Sequence, residues 1–324
     1  MCGPGLISEA EKERISAWSA VRHEVSASPF GPDDEIGMLN LITPQLSASM
    51  LSRADAARVF DLSVDLFPGM PTWTAGGEPP YQIWMNHTPQ GSVVDNPVGV
   101  GPEQNELVAW SADSISMFTH CGTHIDTLNH FGYHDMIWNR FTSGQHLGST
   151  GWTVAGADKL PPVIARGVLL DVATAHDTDV LADSFVIGPE QLETTASRQG
   201  TDIRLGDVVM VRTGRGSTWP EASAYLPREP GIDRNGAEWL AQKGVAMVGS
   251  DNIALESLPS ADAENWLPVH TYLLAEAGVP IMEVVDLEGI AAEELYEFCY
   301  VGAALKLRGA TAGPVRPLAF PLVD

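Results

Sequence analysis

Three apolar runs of strand length dominate the second half of the chain: Gly167–Val172, Asp207–Arg212 and Val245–Gly249. None alternates apolar with polar residues as a strand with one wet face does, so each predicts a strand covered on both faces. Helical stretches lie between them. One opens at Pro189 and runs through Gln191 and Leu192; another, Gly236–Lys243, is stopped by Gly244. Buried strands alternating with helices predict an α/β protein with a central mixed sheet flanked by helices. The 324 residues show no repeat, no low-complexity tract and no compositional break, so one large domain with insertions is the simplest reading.

The first half is less regular. Ser8 and Glu11 form a capping-box pair ahead of Ile15, Trp18 and Val21, which predicts an amphipathic helix to about Val25. A turn cluster at Gly31–Asp34, the segment Ile36–Thr43 and a short helix opened by Pro44 follow. Residues 1–60 are thus expected to be a helical extension packed on a main domain of residues 61–324. Asp61–Phe67 alternates like a half-buried strand and stops at Pro68-Gly69-Met70-Pro71. Residues 75–104, rich in Gly, Pro, Asn and Gln, read as a long irregular excursion of the kind that carries function.

Charge narrows the function. Eighteen Lys and Arg stand against 42 Asp and Glu, a net charge of −24, and such a surface repels phosphate backbones and anionic lipid. Nucleic-acid and membrane partners are therefore not expected. No apolar run approaches the length of a membrane span, and the first twenty residues lack the pattern of a secretory signal. Cysteines occur only at positions 2, 121 and 299, too few and too scattered for a disulfide framework. A cytoplasmic protein is the expectation.

Chemistry concentrates in one segment. His120, His124, His130 and His134 fall within fifteen residues, and Thr119–Phe131 reads H-x-x-x-H-x-D-x-x-x-H. A divalent metal takes imidazole nitrogen and carboxylate oxygen together, and a catalytic centre uses about three protein ligands. His120, His124 and Asp126 are candidates for those three. Gly122 suggests a turn, and the β-branched Thr123 and Ile125 suggest extended backbone after it, in which His124 and Asp126 share a face. Cys121 reads as a small buried filler, with a thiolate ligand or nucleophile as the alternative. His134 reads as structural.

The segment resembles the H-x-G-T-H-x-D-x-x-x-H-F signature of the cyclase family of metal-dependent hydrolases, which includes bacterial kynurenine formamidase and isatin hydrolase. The matching residues are His120, Gly122, Thr123, His124, Asp126, His130 and Phe131; Leu128 stands where the family usually carries proline. Asp61-Leu-Ser63, Pro68–Pro71, Val211–Gly214 and Gly309–Pro317 resemble further family segments, so the resemblance covers about residues 60–320. The first sixty residues, the excursion at 75–104 and much of 215–235 lie outside it. It implies the family's swivelling β/β/α fold and a second ligand group, matched by His270 and Glu283. It also implies a catalytic role for His130 as proton relay, the alternative being a partner that orients a ligand carboxylate. One or two divalent ions, zinc or manganese, are implied per subunit.

The expected activity is hydrolysis of a C–N bond in an amide, formamide, cyclic imide or lactam, or of a lactone, by metal-activated water. The alternatives are a metal-dependent lyase or cyclising enzyme and a metal-containing binding protein without turnover. The substrate is expected to be a small cyclic or aromatic molecule, touched by Phe67, Trp73 and, through resemblance of the Ser250–Asn252 loop, Asp251. Trp84 and Trp138 are further aromatic candidates. A homodimer or homotetramer is the expected assembly.

Overall fold

The computed structural model describes residues 24–226 and 228–323. The helix expected from Ser8 falls, up to residue 23, outside the described residues. Nine strands form one mixed sheet, in the spatial order Phe60–Asp61, Leu318–Pro321, Glu297–Gly302, Val163–Asp171, Val208–Arg212, Met247–Ser250, Ile281–Glu283, His124–Asp126 and Ala312–Pro314. The four from Val163–Asp171 to Ile281–Glu283 run parallel, and both flanks are antiparallel.

The unbroken apolar runs follow from cover on both faces. Val168, Leu170, Val209, Val211 and Val248 point to one side, where Leu192 of the helix Pro189–Gln199 and Leu240 of the helix Arg234–Gln242 meet them. Leu169, Val208, Met210 and Met247 point to the other and meet Leu39, Leu62, Phe298 and Ile290. The large apolar residues of the parallel register therefore lose their surface to one core or the other, at about 25 cal/mol per Å².

Residues 36–53 belong to this packing. A 3-10 turn at Gly37–Leu41 sends Leu39 into one core and Met38 and Leu41 into the other. Thr43 caps the helix Pro44–Arg53 by accepting from the Leu46 N–H, and Ser47 donates to the Ile164 carbonyl within the sheet.

Two expectations differ from the structure. Of Asp61–Phe67 only Asp61 lies in a strand, paired to Leu318; Leu62 donates to the Pro317 carbonyl and Val64 to the Thr123 hydroxyl, so the alternating stretch is extended but has no neighbouring strand. The excursion is regular. Gln82–His87 and Ala112–Ser116 pair as an antiparallel ribbon, and helices Pro89–Asp95 and Pro102–Leu107 fill the span between them. Both helices start on proline, and Thr88 caps the first, so the residues that suggested a loop are helix-starting signals. Among the described residues no helix is long and apolar enough to cross a membrane.

Candidate metal centre

Strand pairing builds the site. His124–Asp126 lies between Ile281–Glu283 and Ala312–Pro314, and the antiparallel register sets Glu283 opposite His124. The two-residue period turns His124 and Asp126 to one face and Ile125 to the core on the other. Before this strand the chain turns at Gly122, whose φ of +61° favours glycine; a Cβ there would lie 2.1 Å from Leu66 Cδ2 and would force that side chain to move. After it, the His130 N–H donates to the Thr127 carbonyl and closes a turn, with Leu128 fully buried in the core. Leu128 is thus accommodated by packing where proline would have rigidified the turn.

His270 arrives from the far side. It ends the helical turn Pro268–His270, which continues as a π-helix, Thr271–Ala277, stopped by Gly278 in the left-handed region. Buried Glu256 accepts from the backbone N–H groups of Val269 and His270 at 3.4 and 3.1 Å and faces His270 Nδ1 at 2.8 Å.

Asp126 is the hub. Its Oδ1 lies 2.6 Å from His120 Nδ1 and 3.3 Å from His124 Nε2; its Oδ2 lies 3.6 Å from His270 Nε2 and 3.7 Å from His130 Nε2. Glu283 stands 3.3 Å from His124 Nε2 and 3.1 Å from His270 Nε2. Three imidazoles are fixed from behind: His124 Nδ1 donates to the Gly122 carbonyl at 2.8 Å, His270 Nδ1 to Glu256, and His120 Nε2 sits 2.9 Å from the Thr311 hydroxyl. Yet His124 Nε2, both Asp126 oxygens and Glu283 Oε1 are buried without a hydrogen bond of proper geometry. Lone pairs crowded this way, with the opposite ring nitrogens anchored, suit ligands facing a common cation.

Two overlapping sets, His120 with Asp126 and His130, and His124 with Asp126 and Glu283, each hold their ligand atoms within 4.8 Å of one another. His130 is thus within ligand reach of the first position. Its ring also lies 4.0 Å from that of His120.

The fields agree with this arrangement. Burial works against a charged His124, but Asp126 and Glu283 outweigh it and push its pKa up to about 10. His270 is raised in the same way, burial being overcome by Glu256 and Glu283. Burial also works against ionised Asp126, yet the imidazoles around it, His120 foremost, hold it well below the usual carboxylate range. His130 is driven well below the usual imidazole value by burial, with Asp126 opposing and the neighbouring histidines reinforcing. Burial lifts the Cys121 thiol to about 11, which leaves it un-ionised and speaks for the filler role.

The remaining candidates lie farther out. Phe67 packs edge-on against Trp219 and beside Cys121, and Trp73 packs against the cluster of Tyr225, Ile253, Ala254 and Val284, the last next in chain to Glu283. Asp251 is inside the scaffold: its carboxylate accepts from Thr213 N and Oγ1 and from the Gly214 and Gly216 N–H groups, tying two strand ends together. Trp138 is fully buried and donates to Asp34, while Trp84 is half exposed on the ribbon. Sequence reasoning did not find Glu256, Thr311, Phe118 or Trp266. Phe118 lies 4.9 Å from the His120 ring, and Trp266 lies 5.8 Å from Phe131, which in turn lies 5.1 Å from His270.

Fold and site together define an α/β protein with a buried histidine and carboxylate centre of metal-ligating chemistry. The Cyclase family model matches residues 60–257, and the chain belongs to that family. The match includes His120–His130 and ends before His270 and Glu283. Among solved structures, one described as a novel cyclase is 27% identical, with 92% of this chain and 99% of that chain covered and a TM-score of 0.80. Isatin hydrolase A from Ralstonia solanacearum is 23% identical, covering 87% of this chain and 97% of its own, with a TM-score of 0.63. A predicted metal-dependent hydrolase from Bacillus stearothermophilus is 23% identical, covering 82% and 98%, with a TM-score of 0.54. The latter two establish a shared fold. No curated protein matches the chain.

Proposed function

We propose that this chain is a metal-dependent amidohydrolase of the arylformamidase and isatin hydrolase type. It cleaves the C–N bond of an amide, formamide, cyclic imide or lactam, or opens a lactone. The observation that supports this reading most is the state of Asp126, a fully buried carboxylate ringed by four imidazoles with no hydrogen bond to either oxygen. His120, His124 and Asp126 would hold a first zinc or manganese ion, and Asp126, His270 and Glu283 a second. A cation held there supplies Lewis-acid polarisation of a carbonyl and an acidified water.

The protein's own groups do the rest. His130 keeps 22% of its side chain exposed, against 8% or less for His120, His124 and His270, so it is the imidazole that faces an incoming substrate. Its Nε2 accepts the proton of the attacking water and delivers it to the departing nitrogen. Phe118, Phe131 and Trp266 form an aromatic rim around the imidazoles, with Phe67 and Trp73 beyond, which suits a planar or cyclic substrate. Likeness to proteins named isatin hydrolases supports the same choice.

The test is elemental analysis joined to a substrate screen with N-formyl aromatic amines, cyclic imides, lactams and lactones. One or two equivalents of zinc or manganese are expected, with hydrolysis that chelation abolishes and metal restores. Full activity in metal-free protein would overturn the metal role. Cyclisation or elimination of a hydroxy-carbonyl compound, with no hydrolysis of any amide or lactone, would replace the hydrolase reading by the lyase one.

A further inference from the structure

Two large apolar side chains among the described residues stand on backbone in the left-handed region: Leu255 and Val284, both at φ of +55° and both buried in the core. There the Cβ of an L-residue crowds the following carbonyl, and for a branched valine the conformation is an outlier. Each adjoins a carboxylate that faces His270. Leu255 precedes Glu256, whose Oε1 lies 2.8 Å from His270 Nδ1; Val284 follows Glu283, whose Oε1 lies 3.1 Å from His270 Nε2. Val284 ends the strand Ile281–Glu283 directly after that carboxylate. Leu255 bends the chain so sharply that the Glu256 N–H returns to the Ala254 carbonyl, a strained one-residue turn.

Strain of this kind persists only where the surroundings over-determine it. At Val284 they do: the Thr123 hydroxyl donates to its carbonyl at 2.6 Å, and its own N–H donates to the Asn252 carbonyl at 2.9 Å. Asn252 is in turn held by Nδ2, which donates to the Pro230 carbonyl at 2.7 Å. Leu255 is held by the Ile232 N–H, which donates to its carbonyl at 3.2 Å. Gly231 lets the two segments approach, since a Cβ there would lie 2.5 Å from the Leu255 carbonyl oxygen. We propose, on the reading of His270 and Glu283 as metal ligands, that Leu255 and Val284 are positioning residues. Their turns aim Glu256 and Glu283 at opposite nitrogens of His270, and Thr123 clamps the second turn. Thr123 immediately precedes His124, so one hydroxyl couples the strand of His124 and Asp126 to the turn behind Glu283. An imidazole caught between two fixed carboxylates has its orientation and tautomer set before an ion arrives, and little side-chain freedom is left to lose on binding.

Calorimetric titration of zinc or manganese, each alone, into the metal-free full chain tests the positioning role, and denaturant unfolding tests the strain. Thr123→Val keeps the side-chain shape and removes the donor, so metal affinity should fall about 10- to 100-fold with unchanged circular dichroism. Thr123→Ser restores the hydroxyl and should recover most of that loss. Val284→Gly should unfold at higher denaturant than Val284→Ala, and Leu255→Gly at higher denaturant than Leu255→Ala. That order reverses the one at ordinary buried backbone, because only alanine has a Cβ opposing a φ of +55°. If Thr123→Val does not fold, a crystal structure of the metal-free wild type decides: both residues should be left-handed and both carboxylates on His270 before any ion is bound. Wild-type metal affinity in Thr123→Val, failure of serine to rescue, alanine more stable than glycine at both positions, or carboxylates turned away from His270 in the metal-free crystal would overturn the positioning role alone. A wild type that binds neither ion would overturn the metal reading itself, and the positioning role with it.

Discussion

His270 Nδ1 lies 2.8 Å from Glu256 Oε1, and the same oxygen accepts the His270 backbone N–H at 3.1 Å. One buried carboxylate thus fixes both the start of a helix and the tautomer of an imidazole, leaving Nε2 turned toward Asp126 and Glu283. Glu256→Gln retains an acceptor but loses the charge that makes His270 a strong donor to a cation. Metal affinity, measured by competition with a chelating dye, should drop about 10- to 100-fold with little change in fold. Wild-type affinity in this variant would mean that His270 stands outside the ligand set.

Asp126→Asn should cost far more activity than Cys121→Ala. A neutral amide cannot replace an anionic carboxylate at the centre of four imidazoles, and the loss should exceed the about 10²-fold typical of an outer-sphere partner. Cys121 is buried, un-ionised and packed among Met70, Tyr81 and Phe67, so its loss should cost about 1 kcal/mol of stability and leave turnover intact. Kinetics of both variants with one common substrate decide the matter. A dead, folded, metal-loaded Cys121→Ala protein would shift the nucleophile to the thiol.

His130→Ala separates proton handling from ligation. Turnover should fall by about 10² to 10⁴, the usual worth of general acid-base assistance, while metal content per chain is unchanged. Because His130 Nε2 is only 3.7 Å from Asp126 Oδ2, the metal measurement matters as much as the rate. Metal lost together with activity would place His130 among the ligands.

Glu229 makes a prediction about pH. It is fully buried, one oxygen accepts the Ile253 N–H at 2.9 Å, and the other has no hydrogen-bond partner. Burial pushes its pKa up from 4.5 to about 8. A carboxyl whose pKa is raised by folding stabilises the native state fully below the unfolded value, and that contribution is lost as pH rises toward the folded one. Between pH 4.5 and 8, wild-type stability should therefore decline relative to Glu229→Gln by up to about 1.4 kcal/mol per pH unit. Denaturant titrations of both proteins across that window should diverge with pH; parallel curves would show that Glu229 ionises freely in the folded state.

What the sequence determined by itself is whatever burial and period write locally. The runs at 167–172, 207–212 and 245–249 announced strands covered on both faces because their large apolar residues are buried in one core or the other. The alternation of His124, Ile125 and Asp126 likewise announced two polar groups on one face, because a strand's period is two. Tertiary structure decided what depends on pairing across distance. Glu283 reaches His124 through an antiparallel register that joins positions 159 apart in the chain, and Glu256 and Thr311 reach their imidazoles by the same kind of non-local approach. Asp61–Phe67 shows the converse: its alternation is that of a strand, but a strand exists only where a neighbour supplies a continuing ladder of hydrogen bonds, and beyond Asp61 the bonds of Leu62 and Val64 are isolated ones. The residues between Gln82 and Ser116 likewise encode their helix starts locally, while the pairing of Ile83 with Ile115 that makes a ribbon arises only when the chain folds back on itself.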